Sequence, residues 1–326
     1  MHRRFLPYLI DPLTHEPLCL ENADMHGDFI ESGELRSNTH SYPIVRGVPR
    51  FAGYREDHYA ISFGYQWNRW SHIQFESENT GGPMQGYTRR MWERITGRDG
   101  MMSDQLLLDV GCGPGRFIDV ARSKGAAVIG VDYSQAVEAA ADNFRGDPDV
   151  CICQADALRL PIRTASVDGA FSIGVLHHTP SPAGGVQEIV RTVKAGGWAA
   201  VSVYAKGGYY DFPTVRLWRR VFRSLWPLFR HYPPLVYSYA TAYGLRPLAS
   251  VPLLGKAVRG VLPFVPLADI RWSVLDTFDS VTPSYQSAHT SDEVRQWFER
   301  CGLGDIEAAN WGPTAYRGVK PMDVLP

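Results

Sequence analysis

A chain of 326 residues has room for one large α/β domain with attachments, or for two domains. An apolar fraction of 44% argues against disorder, and a net charge of −1 argues against a global field that would gather nucleic acid, so no DNA partner is expected. Cys19, Cys112, Cys151, Cys153 and Cys301 have neither disulfide-framework nor paired-ligand spacing, and no run is apolar enough for a signal peptide or a membrane span; the expected setting is reducing and cytoplasmic.

Residues 1–53 read as short strands and turns, a small β domain ending in Ser41-Tyr42-Pro43-Ile44-Val45-Arg46-Gly47-Val48-Pro49-Arg50-Phe51. Residues 54–100 form an aromatic and helical segment, with a helix predicted over 88–95 and closed by Gly97. From 101 to 204, strand and helix alternate. Strands are predicted over 106–110, 127–131, 150–154, 167–173 and 198–204, the last beginning after the Gly196-Gly197 break, with helices over 116–123, 135–143 and 183–193. Such alternation predicts a doubly wound, Rossmann-like parallel sheet. Residues 205–285, rich in proline, arginine and aromatics, read as a helical cap inserted into the core. Residues 286–326 return to it: Thr290 and Glu293 cap a helix ending before Gly302, then strands over 305–311 and 315–319.

In an open sheet of this kind a ligand binds beyond the carboxyl ends of the strands. The first core strand ends in Asp109-Val110-Gly111-Cys112-Gly113-Pro114-Gly115. The dinucleotide fingerprint wants glycine at the sixth loop position, where Arg116 stands, and a pyrophosphate would be repelled by Asp109. An ammonium group would be attracted to it. Asp132 closes the second strand, where an acid can accept both hydroxyls of a ribose, and Asp156 with Ala157 follows the third, within reach of an adenine. The bland alternative is that Asp132 and Asp156 only cap the segments after them; three acids in register at successive strand ends favour the functional reading.

These segments, LLLDVGCGPGRF (106–117), GVDYS (130–134), QADALRLPI (154–162), FSIGVLHHT (171–179) and VKAGGWAAVSVY (193–204), resemble the class I S-adenosylmethionine-dependent methyltransferases of the methyltransferase-domain-11 type. The resemblance covers about a hundred residues. It implies a seven-stranded sheet with its last strand antiparallel, and S-adenosylmethionine as cofactor. It places Asp109 and the Gly111, Cys112, Gly113 and Gly115 backbone at the methionyl part, Asp132 and Tyr133 at the ribose, Asp156 and Ala157 at the adenine, and Ser172 to Val175 near the methionyl and sulfonium end. It also implies that the segment before the core folds over the cofactor as a lid, offering Phe63, Tyr65, Gln66 and Trp67, with Tyr65 and Gln66 as cofactor-binding candidates. Core packing competes as the explanation for these aromatics. The N-terminal DPLTHEPLCLE and YPIVRGVPRF resemble the small zinc-ribbon-like domain associated with methyltransferases, but Asp11, His15, Asn38, Thr39 and His40 stand where metal-binding members have cysteines, so no metal is expected.

Methyl transfer from a sulfonium is an in-line displacement, and a hydroxyl acceptor benefits from a general base. His177 and His178, just past the fourth strand, are the leading candidates, with corner capping as the alternative role. Tyr285 and His289, in a polar stretch at the end of the cap, are a second pair; residue order cannot rank them. The expected activity is methylation of a small molecule, oxygen favoured. Alternatives are a tRNA or other macromolecular acceptor, suggested by the associations of the N-terminal domain, and a non-catalytic cofactor-binding scaffold. Over 214–232, Val215, Trp218, Val221, Phe222, Leu225, Trp226 and Phe229 make one helical face and Arg216, Arg219, Arg220, Arg223 and Arg230 the other. The bland reading is a cap helix with a solvated outer side; the sharper one is a surface for a membrane or a lipid-linked substrate. The aromatic cap would equally serve a homodimer.

Overall fold

The computed structural model describes residues 1–52, 58–249 and 251–322. The N-terminal strands β1 (Cys19–His26), β2 (Phe29–Arg36), β3 (Ser41–Val45) and β4 (Val48–Pro49) pair in chain order as an antiparallel sheet. In β3 the side chains alternate strictly, so Tyr42 and Ile44 turn inward while their neighbours face solvent. Asp11, fully buried, ties this module together. Its carboxylate accepts from Ser37 Oγ at 2.6 Å, Tyr42 OH at 2.9 Å and the backbone N–H of Leu13 at 2.8 Å, and lies 2.9 Å from His40 Nδ1. Burial alone would raise the Asp11 pKa, but these donors outweigh it and hold the carboxyl well below its usual range. The module docks on the core through backbone bonds from Phe51 N–H to Gln154 O (2.8 Å) and Ile10 N–H to Pro161 O (3.0 Å).

Two helices, α1 (His58–Arg69) and α2 (Tyr87–Thr96), lead into the core. There β5 (Leu106–Val110), α3 (Arg116–Ser123), β6 (Ala127–Asp132), α4 (Ala136–Asn143), β7 (Val150–Gln154), β8 (Val167–Ile173), α5 (Pro182–Thr192) and β9 (Val193–Ser202) alternate as expected of a doubly wound fold. After the cap come α11 (Ser291–Arg300), β10 (Gly304–Ala308) and β11 (Ala315–Val319). The seven-stranded sheet has the order β10-β11-β9-β8-β5-β6-β7, with β11 antiparallel to both neighbours. Every residue of β5 and β7 is buried, as strands covered on both faces must be, and this explains why all of them but Asp109 and Gln154 are apolar. The chain leaves β5 towards β6 on one side and returns through β8 on the other, so the order reverses between β5 and β8.

Two predicted boundaries shift. Strand β9 begins at Val193 and runs through Gly196 and Gly197 instead of starting after them. The Gly196 N–H donates to Lys320 O and the Lys320 N–H to Gly197 O, both at 2.8 Å, so pairing with Lys320 carries the strand through both glycines, Gly196 with a left-handed φ of 76°. Strand β10 stops at Ala308 because the chain turns at 309–314 to enter β11.

The cap comprises α6 (Pro213–Phe229), α7 (Tyr232–Gly244), the short α8 (Arg246–Ala249), α9 (Pro252–Val261) and α10 (Ile270–Val281). The innermost helix, α10, buries Trp272, Leu275 and Phe278 and packs on α1, α6 and α7. Among the described residues no helix is long and apolar enough to cross a membrane. The faces of α6 differ from those expected at three positions: Arg219 is turned inward and buried, its Nε donating to Ser280 O at 2.8 Å, while Val221 and Phe229 are exposed. A carbonyl on α10 satisfies the guanidinium there, which a helical projection of α6 alone cannot reveal.

Candidate active site

At the carboxyl ends of β5, β6, β7 and β8 a cleft of about 930 Å³ opens to solvent. Its floor is the loop after β5. Gly111, Gly113 and Gly115 all have left-handed φ, at 82°, 54° and 95°. At Gly111 a Cβ would also stand 2.3 Å from Val175, so glycine is required on both counts. Asp109 lies below this loop rather than in the cleft wall, 1% exposed, with Oδ2 unpaired; burial and the nearby Asp132 carboxylate push its pKa well up. Asp132 lines the cleft. Its Oδ2 accepts from Gly113 N–H at 2.9 Å and its Oδ1 from the N–H and Oγ of Ser134, so it braces the glycine loop while facing the ligand space.

Of the other expected residues, Cys112, Tyr133, Asp156 and Ala157 line the cleft. Ser172 does not: it is fully buried, and its hydroxyl donates to Val110 O at 2.8 Å, tying the ends of β8 and β5 together. The rest of the expected stretch, Ile173, Gly174 and Val175, forms the wall. On α1, Phe63 and Trp67 face the cleft, whereas Tyr65 and Gln66 face the cap. Tyr65 stacks on His231 at 3.9 Å, and Gln66 Nε2 donates to Asp279 at 3.0 Å. Gly64 sets this rotation. A Cβ there would lie 3.1 Å from that of Gln135, so α1 presses its backbone against the start of α4.

The histidines separate sharply. His178 lines the cleft beside Phe63, with ring centroids 4.8 Å apart. Its Nδ1 lies 3.0 Å from Tyr285 O, which can only accept, so Nδ1 carries the proton and Nε2 the lone pair. Burial lowers its pKa to about 4, which keeps the ring neutral at physiological pH. His177 is wholly buried, neither ring nitrogen has a partner, and it stacks on Tyr204 at 3.7 Å. His289 is held away from the cleft, with Nε2 2.8 Å from Ser287 Oγ and Nδ1 3.3 Å from Glu293. Tyr285 contributes its carbonyl; its side chain is largely exposed.

Several residues at the site carry no sequence motif. Gln74 lines the cleft, and its Oε1 is buried without a partner among the described residues; Arg116, within the LLLDVGCGPGRF segment, lines it too. Beside His178 lies a polar cluster in which Tyr204 OH is 3.3 Å from Asp279 and stacks on Tyr210 at 4.1 Å. Asp276 stands one turn before Asp279 on α10. Burial and Asp279 raise its pKa to about 7, against the pull of Arg116. Both acids fall in the polar stretch that the sequence places at a substrate wall, and their inward face follows from the packing of α10.

A reversed strand order over an acid–glycine loop, with a second acid at the next strand end, has the layout of the S-adenosylmethionine-binding methyltransferase cores that these segments resemble. The residues fit that cofactor. The unpaired Asp109 and Gln74 oxygens are short of hydrogen-bond donors, Asp132 and Asp156 supply acceptors along the wall, and the glycine loop leaves room for close approach.

Residues 108–201 match the methyltransferase domain family. A tRNA (carboxymethyluridine(34)-5-O)-methyltransferase of Macaca fascicularis is 33% identical over 112 residues, covering 33% of this chain and 16% of that protein. A tRNA U34 carboxymethyltransferase of Methylococcus capsulatus is 30% identical over 162 residues, 48% of this chain and 49% of the relative. A ubiquinone biosynthesis O-methyltransferase of Paracidovorax citrulli is 36% identical over 106 residues, 29% and 42% of the two chains. The match thus spans less than half the length of each of these relatives. Among solved structures, a chain from the complex between the Haloferax volcanii Trm112 methyltransferase activator and a methyltransferase is similar at 15% identity, covering 82% of this chain and 100% of that one, with a TM-score of 0.46.

Proposed function

We propose that this protein transfers a methyl group from S-adenosylmethionine to an oxygen of a small molecule, with His178 as the general base. The observation that carries the reading is the cleft-lining imidazole whose Nδ1 proton is committed to Tyr285 O. The bound cofactor supplies an electrophilic methyl carbon on a sulfonium. The chain's own task is to hold the acceptor in line and remove its proton. His178 Nε2 takes the hydroxyl proton as the oxygen attacks. Phe63 and Trp67 shield the site from water on one side, and Tyr204 and Tyr210 do so from the cap.

A macromolecular acceptor is the second reading, favoured by the two tRNA-modifying relatives. The polar groups beside His178 lie where α10 packs inward, with Asp279 of that helix bonded to Tyr204 OH, and this supports a small acceptor over a polymer.

Calorimetric titration with S-adenosylhomocysteine, with NADH as control, tests the foundation. Micromolar binding that is lost in Asp132→Ala, with NADH silent, is expected; binding of NADH instead would sink the assignment. Screening hydroxylated metabolites and an unmodified tRNA for methyl uptake then separates the two acceptor classes.

A further inference from the structure

Between Asp211 and Asp269 the chain contains no acidic residue and eight arginines and lysines. The segment therefore carries +8 in a protein of net charge −1, which leaves −9 on everything else. The same segment is apolar on its outside. Fourteen of the twenty exposed large apolar side chains among the described residues lie within 212–261. Leu253 on α9 is 84% exposed and Leu228 on α6 is 79% exposed. The inner side of the cap is already occupied by α10, so these residues have no role in covering the active site. Trp218 Nε1 donates to Val261 O at 2.9 Å, joining α6 to α9, so the exposed residues belong to adjoining elements. Arg220, Arg230 and Lys256 stand among them without an acidic partner within the described residues.

We propose that the outer face of α6, α7 and α9 is a docking surface for an anionic lipid bilayer. Insertion of Leu228 and Leu253 below the headgroups would bury apolar surface that now faces water, and the arginines and lysine would meet lipid phosphates at the interface. Three alternatives fit less well. A second copy would bring two such faces together, each carrying Arg220, Arg230 and Lys256 with no acidic partner among the described residues. An RNA would neutralise the charge but leave the aliphatic tips of Leu228, Leu253 and Val236 uncovered, since bases stack on aromatics. Ordinary solvation leaves the apolar excess unexplained. None of the described helices spans a bilayer, so the protein would lie on the surface.

The test is sedimentation of the full chain with phosphatidylglycerol–phosphatidylcholine vesicles and with pure phosphatidylcholine vesicles. Binding to the anionic vesicles alone, weakened by added salt, is expected. A Leu228→Glu/Leu253→Glu variant should partition about tenfold less, and Arg220→Glu/Lys256→Glu should do likewise, both with unchanged melting and S-adenosylhomocysteine binding. Failure of the wild type to sediment with anionic vesicles would overturn the proposal. So would a wild-type dimer that the leucine variant dissociates, or displacement of the protein from vesicles by an RNA oligonucleotide.

Discussion

His178 Nδ1 and the carbonyl oxygen of Tyr285 are 3.0 Å apart, and this contact turns a buried imidazole into a base with a defined lone pair. Glutamine at 178 keeps a donor for the carbonyl but removes the basic nitrogen. His178→Gln is expected to lower kcat roughly 10²- to 10⁴-fold while leaving S-adenosylhomocysteine affinity close to wild type. His177→Gln should cost stability instead, because that ring packs on Tyr204 away from the cleft. Parallel kinetics, titration calorimetry and thermal melts distinguish the two; equal kcat losses without loss of stability would return His177 to the chemistry.

Acid titration should reveal two buried groups of opposite sign. His178 has a folded pKa of about 4 against 6.5 for the free side chain, so between those values the unfolded chain binds the extra proton and stability falls as pH drops. Asp276 has a folded pKa of about 7 against 3.8, so over that window the folded chain binds the extra proton and stability falls as pH rises. Relative to wild type, His178→Gln should therefore gain stability on acidification below pH 6.5. Asp276→Asn should gain it as pH rises from 4 to 7. Each difference approaches about 1.4 kcal/mol per pH unit at most, readable in urea melts.

Gly111→Ala should abolish cofactor binding before it abolishes folding. The left-handed φ of 82° costs a non-glycine residue roughly 1–3 kcal/mol, and the added Cβ would collide with Val175. Gly113→Ala meets only Trp67, at 3.4 Å, so its effect on S-adenosylhomocysteine affinity should be the smaller of the two. The reverse ranking would mean that Val175 yields.

Asp11→Ala should destabilise the chain by about 2–4 kcal/mol, since it strands the Ser37 and Tyr42 hydroxyls and the Leu13 N–H in a buried site. Because the carboxyl is held below its usual range, the same stability should be lost in wild type as pH falls below about 4. If hydrogen bonds alone hold this module, a chelator will leave the melting temperature unchanged; a marked drop would reveal a metal.

The core could be read from the sequence because its signals are local. A strand buried on both faces must be apolar throughout, and a turn into a ligand site must carry glycine, so β5 to β8 and the loop from Gly111 to Gly115 declare themselves residue by residue. Asp132 and Asp156 follow because strand ends in a parallel sheet share one edge. What faces what was decided only when helices packed. On α1 each residue turns about 100° from the last, and the press of Gly64 on Gln135 selects Phe63 and Trp67 for the cleft while sending Tyr65 and Gln66 to the cap. Two adjacent histidines look equivalent in sequence until Tyr285, more than a hundred residues on, offers its carbonyl to one of them. Arg219 reads as a solvated charge because a charge needs partners to be buried, and its partner Ser280 O comes from a distant segment, as do those that hold Asp279. The sequence determined the sheet and the cofactor loop by itself; long-range packing alone could choose the side chains that surround them.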